Sequence, residues 1–223
     1  MSSKQQKSSP ITALAVFTGS LLMTFLINAR SVLLPTALPE LNAMQLYGVM
    51  VILNSMSSAI ALPVAGKLGE LFGRKRIIIA GGLISMAGNL LSASAVNGWM
   101  LMGGIAGNGL GVGCINAVQV PILCELFEGD RRPKMISYMV TCGSVAALVA
   151  PTLAGLLVDG PGWRWIYISA IPLGLFIILV TAKFYHPARQ AAGEISIDYA
   201  GIGCFAMCVM PFLYGLTAGG STY

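Results

Sequence analysis

Charge is what this 223-residue sequence has least of: only 9% of it is Asp, Glu, Lys or Arg, and it holds a single histidine. A soluble domain carries roughly 25% charged residues, so too few solvated side chains are present to cover a water-facing surface. The lone histidine, His186, excludes a histidine-built metal centre. The five cysteines, Cys114, Cys124, Cys142, Cys204 and Cys208, all fall in apolar segments. An odd set of such thiols without nearby histidines fits small packing residues better than a disulfide framework or a metal site. The apolar segments also lack a histidine, an acid pair and a nucleophile beside a base, which argues against an intramembrane enzyme. No basic patch interleaved with aromatics occurs, so no nucleic-acid partner is expected. Neither a cofactor nor a metal is expected.

What the sequence has is hydrocarbon and helix punctuation: 56% hydrophobic residues, 27 Gly, 11 Pro and 12 Met, with a mean hydropathy of +0.80. The apolar runs are about 20 residues long, enough to cross a bilayer core of roughly 30 Å as helices. The pattern predicts seven spans, at 11–36, 46–66, 77–96, 99–125, 135–158, 165–184 and 199–219. The first is too long for the roughly 7–15-residue apolar region of a signal peptide and has no cleavage site after it. Residues 1–10 read as a polar cytoplasmic leader, 11–184 as a six-span all-α unit, 185–198 as a cytoplasmic linker, and 199–223 as a seventh span at which the chain is cut short. With the N-terminus cytoplasmic, eleven of the 13 Lys and Arg residues fall on the inner side. Only Arg164 is then outside and Arg30 within the membrane. The net charge of +5 is thereby a matter of topology, and a cell-membrane location with the lipid bilayer as partner follows.

Three stretches carry a family resemblance. Between spans two and three, "GKLGELFGRKR" (66–76) resembles the signature loop G-x-L-x-D-r-x-G-r-r of the major facilitator superfamily. Gly66, Leu68, Gly73, Arg74 and Lys75 match, Glu70 keeps the charge of the usual Asp, and Leu71 departs from a basic residue. A tight turn between antiparallel helices needs glycine, and the Glu70 carboxylate stands where it could contact the basic residues at 74–76. "APTLAGLLVDGPGWRWIYISAIPLG" (150–174) resembles the export-branch motif G-P-x-x-G-G followed by the W-R-W-I-F-x-x-N-x-P-x-G segment of the drug:proton antiporters. Pro151, Gly155, Trp163, Arg164, Trp165, Ile166, Pro172 and Gly174 match there. "LMGGIAGNGLGVG" (101–113) is similar to L-x-x-x-R-x-x-q-G-x-g, and "TALPEL" (36–41) to the antiporters' A-L-P. The resemblance implies two six-helix halves, each of two inverted three-helix repeats. The chain then supplies the N-terminal half of a fourteen-span member plus its seventh span, with a missing C-terminal half as partner. It also implies gating roles for Gly66, Glu70, Gly73, Arg74, Lys75, Pro151 and Gly155.

Arg30 is the exception within this pattern. It lies in "FLINARSVLLPTALPEL" (25–41), among the most apolar stretches of the chain. Guanidinium stays protonated at any physiological pH, and a charge at span centre costs ~2.5–3.5 kcal/mol, so such residues face a watery cavity or a partner. All eight acidic residues lie at span ends or in loops. Its partner is then a carboxylate from the missing half, backbone carbonyls or the substrate, or else the side chain snorkels to the outer interface. Aligning A-L-P puts Arg30 where the antiporters carry an aspartate and Ile105 where they carry an arginine. The resemblance therefore implies an inverted charge and a cavity that attracts anions.

Other candidate substrate-binding residues are Asn54, at a position where the antiporters have tyrosine, and Asn108, Asn116 and Gln119, which fall within about 80° on one helix face. Each either binds substrate or bonds helices together. Thr24, Asn28 and Ser31 form a stripe opposite Arg30. The expected function is secondary transport of a small-molecule substrate, an amphipathic organic anion, by alternating access with a proton or sodium as coupling ion. Alternatives are a proton-coupled multidrug efflux antiporter, and a non-transporting sensor or half-transporter subunit.

Overall fold

A computed structural model describes residues 10–127 and 129–185, together with Met207 and Pro211. These residues form six long helices: α1 (Pro10–Glu40), α2 (Tyr47–Phe72), α3 (Arg74–Ala93), α4 (Gly98–Leu126), α5 (Arg131–Asp159) and α6 (Arg164–Phe184), with one 3₁₀ turn at Met44–Leu46. No strand occurs among the described residues. Each of the six helices is long and apolar enough to cross a membrane. The expected seventh span and the linker from residue 186 fall outside the described residues, apart from Met207 and Pro211.

The helices correspond to the first six expected spans but run past several of their bounds. The clearest difference is at the end of α2, where "GKLGELF" is helical through Phe72 and only Gly73 leaves the helix, at φ 91°. A residue with a Cβ is strained in that left-handed region, so the α2–α3 corner is one glycine long. Gly66 lies inside α2 instead of in the turn, with nothing within 4 Å of where a Cβ would stand.

Every helix reverses direction relative to the one before, giving the bundle a Gly73 end and a Glu40 end. α4 packs most extensively on α3 and α2, α1 on α5 and α6, and α3 on α6. Glycine permits the closest of these approaches: a side chain at Gly88 would fall on the backbone of Asn108, and one at Gly111 on the backbone of Ser85. Membrane helices associate through such packing and hydrogen bonds, because lipid tails are as apolar as leucine and supply no drive to bury it.

Two apolar clusters fill the bundle. One, at the Glu40 end, gathers Leu33, Leu34, Leu38, Met50, Leu101, Ile105 and Tyr167. The other, at the Gly73 end, gathers Ile77, Ile78, Val118, Ile122, Leu123 and Tyr185. Between them lies a polar layer of Arg30, Ser85, Asn89 and Asn108, all buried.

Candidate functional site

The polar layer is built around Arg30, which is 7% exposed on the interior face of α1. Its Nη2 donates to Oδ1 of Asn108 on α4. The Asn108 carboxamide donates in turn to Ser85 Oγ at 2.8 Å and to Asn89 Oδ1 at 2.9 Å, both on α3. The partner is therefore a neutral amide, a class absent from the carboxylates, carbonyls and substrate considered above. The guanidinium is turned into the bundle and does not snorkel to the outer interface. The glycine seam between α3 and α4 brings Asn108 deep enough to receive it.

This bond leaves most of the guanidinium unused. Among the described residues, four buried polar side-chain atoms have no hydrogen-bond partner: Arg30 Nε and Nη1, Ser92 Oγ and the Tyr167 hydroxyl. They are neighbours, since the Tyr167 hydroxyl on α6 lies close enough to interact with both Arg30 and Ser92, without the geometry of a formed hydrogen bond. Buried groups of this kind are normally paired. Among the described residues no carboxylate pairs with them: the acids of the described ion pairs are Glu70, Glu125 and Glu40, bound to Lys67, Arg74 and Arg164.

The remaining expected binding residues do not converge on this centre. Asn54 is buried on α2, where its Nδ2 donates to the Ile105 carbonyl at 3.3 Å and so bonds α2 to α4. Gln119 lies about 16 Å further along α4 at 1.5 Å per residue, where its amide faces Gly19 of α1, and Asn116 is half-buried at a similar level. The stripe opposite Arg30 looks elsewhere, with Thr24 set against Gly143 of α5 and Ser31 exposed. Exposed hydroxyls continue on α2 at Ser55 and on α5 at Thr141, Ser144 and Thr152. By contrast, the exposed residues along 80–91 of α3 and 165–182 of α6 are apolar throughout. The bundle thus has a hydroxyl-bearing side and a hydrocarbon side, with Arg30 facing neither. Ser85, Asn89, Ser92 and Tyr167 were not among the sequence candidates, although residues 85, 89 and 92 recur at helical spacing on α3.

Each end of the bundle carries a polar clasp. At the Gly73 end, Arg74 Nη1 pairs with Glu125 Oε1 at 2.5 Å and donates to the Pro121 carbonyl at 2.9 Å. The Tyr185 hydroxyl donates to Glu125 Oε2 at 2.5 Å. Burial first, and then this bond to a carboxylate, push the Tyr185 phenol above its ordinary pKa, so it remains a donor. Glu70 is not part of this clasp. It is exposed and pairs with Lys67 of its own helix at 3.3 Å. Lys75 is half-buried beside Arg74. On α5, Pro151 lies within the helix, but Gly155 meets nothing within 4 Å, and the buried seam is formed by Gly143, Ala146, Ala150 and Ala154. At the Glu40 end, Trp163 Nε1 donates to Glu40 Oε2 at 2.7 Å, and Arg164 bridges Glu40 at 3.5 Å and the Ala95 carbonyl at 3.2 Å.

The chain is similar to multidrug and efflux proteins over most of its length. It is 28% identical over 225 residues to the multidrug transporter protein MdtP of Bacillus subtilis (strain 168), covering 99% of this chain and 41% of that protein. It is 25% identical to the efflux pump FUS6 of Gibberella moniliformis (strain M3125 / FGSC 7600), covering 93% of this chain and 38% of that protein. The chain therefore spans about two fifths of the length of these relatives. A crystal structure of the peptide transporter POT shares the fold, with a TM-score of 0.68 at 18% identity over 95% of this chain and 47% of that one. Residues 16–197 match the sequence profile of the Major Facilitator Superfamily. This multi-pass, all-helical membrane chain belongs to the major facilitator superfamily.

Proposed function

We propose that the complete protein is a secondary transporter that exports small amphipathic organic molecules, anions in preference to cations, by alternating access driven by a proton or sodium gradient. This chain supplies its N-terminal six-helix half. In the cell membrane, the Gly73 end is cytoplasmic, since it carries most of the basic residues. The hydroxyl-bearing side formed by α1, α2 and α5 faces the other half, and the apolar side of α3 and α6 faces lipid. The clasps at the two ends hold the half together while it rocks as a body. Gly66, Gly73, Arg74, Lys75, Pro151 and Gly155 shape the moving end and the bending helix, with Glu70 peripheral to them. Asn54 bonds α2 to α4 within the half, while Asn116 and Gln119 lie further along α4, away from Arg30.

The observation that carries the anion preference is Arg30, a permanent charge with no acid partner among the described residues and with N–H groups unused. A carboxylate or sulfate on the cargo satisfies both needs. The relatives named as multidrug and efflux proteins support export, and they support a second reading, proton-coupled efflux of neutral or cationic drugs. That reading draws its proton-binding acid from residues outside those described. Gradient-driven flux of matched anionic, neutral and cationic dyes through the complete protein in liposomes separates the readings. Faster anion flux supports the first, faster cation flux the second, and absence of any saturable flux favours a sensor or a subunit.

A further inference from the structure

The apolar faces of α3 and α6 both end in a cation at the Gly73 end. On α3, the exposed Leu83, Ala87 and Leu90 continue at helical spacing from Arg76, which is itself exposed. On α6, the exposed Phe176 and Leu179 lead to Lys183, exposed at the last turn of the helix. The two helices pack on each other, and so closely that a Cβ on Gly82 would fall 2.7 Å from Ile178. From that crossing, Arg76 lies six residues and Lys183 five residues nearer the Gly73 end, about 9 and 7.5 Å at 1.5 Å per residue. The cations therefore stand at one level on either side of one seam. Helices packed face to face lie about 8–10 Å apart, so two long side chains can reach a single phosphate.

Neither α3 nor α6 contains an acid. Among the described residues, Glu70 and Glu125 at this end pair with Lys67 and Arg74, and Arg76 enters no ion pair. The length of the α6 face fixes the depth of the cations. Its other end is Trp165, 51% exposed and eighteen residues, or about 27 Å, from Lys183. That matches a hydrocarbon core of roughly 30 Å, with tryptophan at one interface and the cations at the headgroups of the other.

We propose that Arg76 and Lys183 form a binding site for an anionic phospholipid of the inner leaflet. Its phosphate bridges the two cations across the α3–α6 seam, and its acyl chains lie along the apolar faces. A zwitterionic lipid brings an ammonium group for which neither helix offers an acid. The inference rests on α3 and α6 facing lipid and is independent of the cargo, so its failure leaves the transport reading as it stands.

The test is native mass spectrometry of the full chain in a nonionic detergent, with dioleoyl phosphatidylglycerol or dioleoyl phosphatidylcholine added. Phosphatidylglycerol should bind at least about fivefold more tightly. Arg76→Gln and Lys183→Gln should each weaken it about fivefold, the equivalent of ~1 kcal/mol per cation near a headgroup, and the double variant about twenty-fivefold. Lys134→Gln removes an exposed cation at the same end from α5 and should change binding less than about twofold. Equal binding of the two lipids overturns the proposal. So does a loss in Lys134→Gln as large as in Arg76→Gln, which would make the attraction diffuse. Displacement of the lipid by glycerol 3-phosphate at equal concentration would make the site one for free phosphate and overturn it as well.

Discussion

Arg30 on α1 and Asn108 on α4 meet in the middle of the bundle, Nη2 donating to Oδ1, and through Asn108 the guanidinium is tied to Ser85 and Asn89 of α3. One amide thus couples three helices and holds a charge in place without neutralising it. Placing a carboxylate at that position tests the difference. Asn108→Asp should pair with Arg30 and end the preference for anions, while binding of a neutral analogue changes less than about threefold. Asn108→Leu should strand the guanidinium, with a cost above the ~1–3 kcal/mol of a neutral unsatisfied group. The double variant Arg30→Met with Asn108→Leu should recover much of that loss. Unfolding in mixed micelles measures the stabilities, and matched-ligand titration the preference.

At the Gly73 end, the clasp of Arg74, Glu125 and Tyr185 assigns turnover to Glu125. Glu125→Gln removes the ion pair and weakens the acceptor for Tyr185, so transport by the complete protein should slow about tenfold with substrate affinity changed little. Glu70→Gln breaks only an exposed pair within one helix, worth about 0.2–0.5 kcal/mol, and should slow transport less than twofold. Equal effects of the two substitutions on initial rates would contradict the assignment.

Tyr185 gives the same clasp a pH dependence. Its phenol pKa is raised in the folded chain, so the folded state holds this proton more tightly than the unfolded state. The resulting stability is complete below the unfolded pKa of about 10 and is lost as pH climbs above it. Unfolding midpoints should therefore fall more steeply above about pH 10 in the wild-type chain than in Tyr185→Phe. Parallel curves would remove Tyr185 from the clasp.

Two glycines separate motif from packing. A Cβ at Gly111 would fall on the backbone of Ser85, whereas one at Gly155 meets nothing within 4 Å. Gly111→Ala should destabilise the chain by about 2 kcal/mol or more, since neither backbone can yield. Gly155→Ala should be neutral or stabilise by up to about 1 kcal/mol through helix propensity. Thermal unfolding of the two variants in one detergent provides the comparison.

Gly155 also shows how far motif spacing reaches. It matches the export-branch pattern, yet Ala150 and Ala154, which depart from that pattern, form the buried seam of α5. Hydropathy located all six described helices, because twenty consecutive apolar residues have one stable solution in a bilayer. Helix facing was harder to read, because membrane helices are apolar on the side toward lipid as well as the side toward protein. Arg30 was legible as an anomaly, but its partner was sought among acids and carbonyls, and Asn108, a neutral amide grouped with Asn116 and Gln119 on one face of its helix, gave no charge signal. The 85, 89, 92 spacing on α3 was the readable clue to that layer. Gly66 and Gly73 appeared equivalent in the loop motif, and only the backbone angle at Gly73 distinguishes the turn from the helix.

The central claim is that the unneutralised charge of Arg30 recognises an anionic group. The most direct measurement is equilibrium binding of one ligand in a charged and a neutral form, a carboxylate and its methyl ester, to the wild-type chain and to Arg30→Ala. Charge-assisted hydrogen bonds contribute roughly 1.5–3 kcal/mol, so the account predicts a loss of about ten- to a hundredfold for the carboxylate and almost none for the ester. Equal losses for both ligands, or no loss for either, would contradict it and leave Arg30 as a structural bond between α1 and α4.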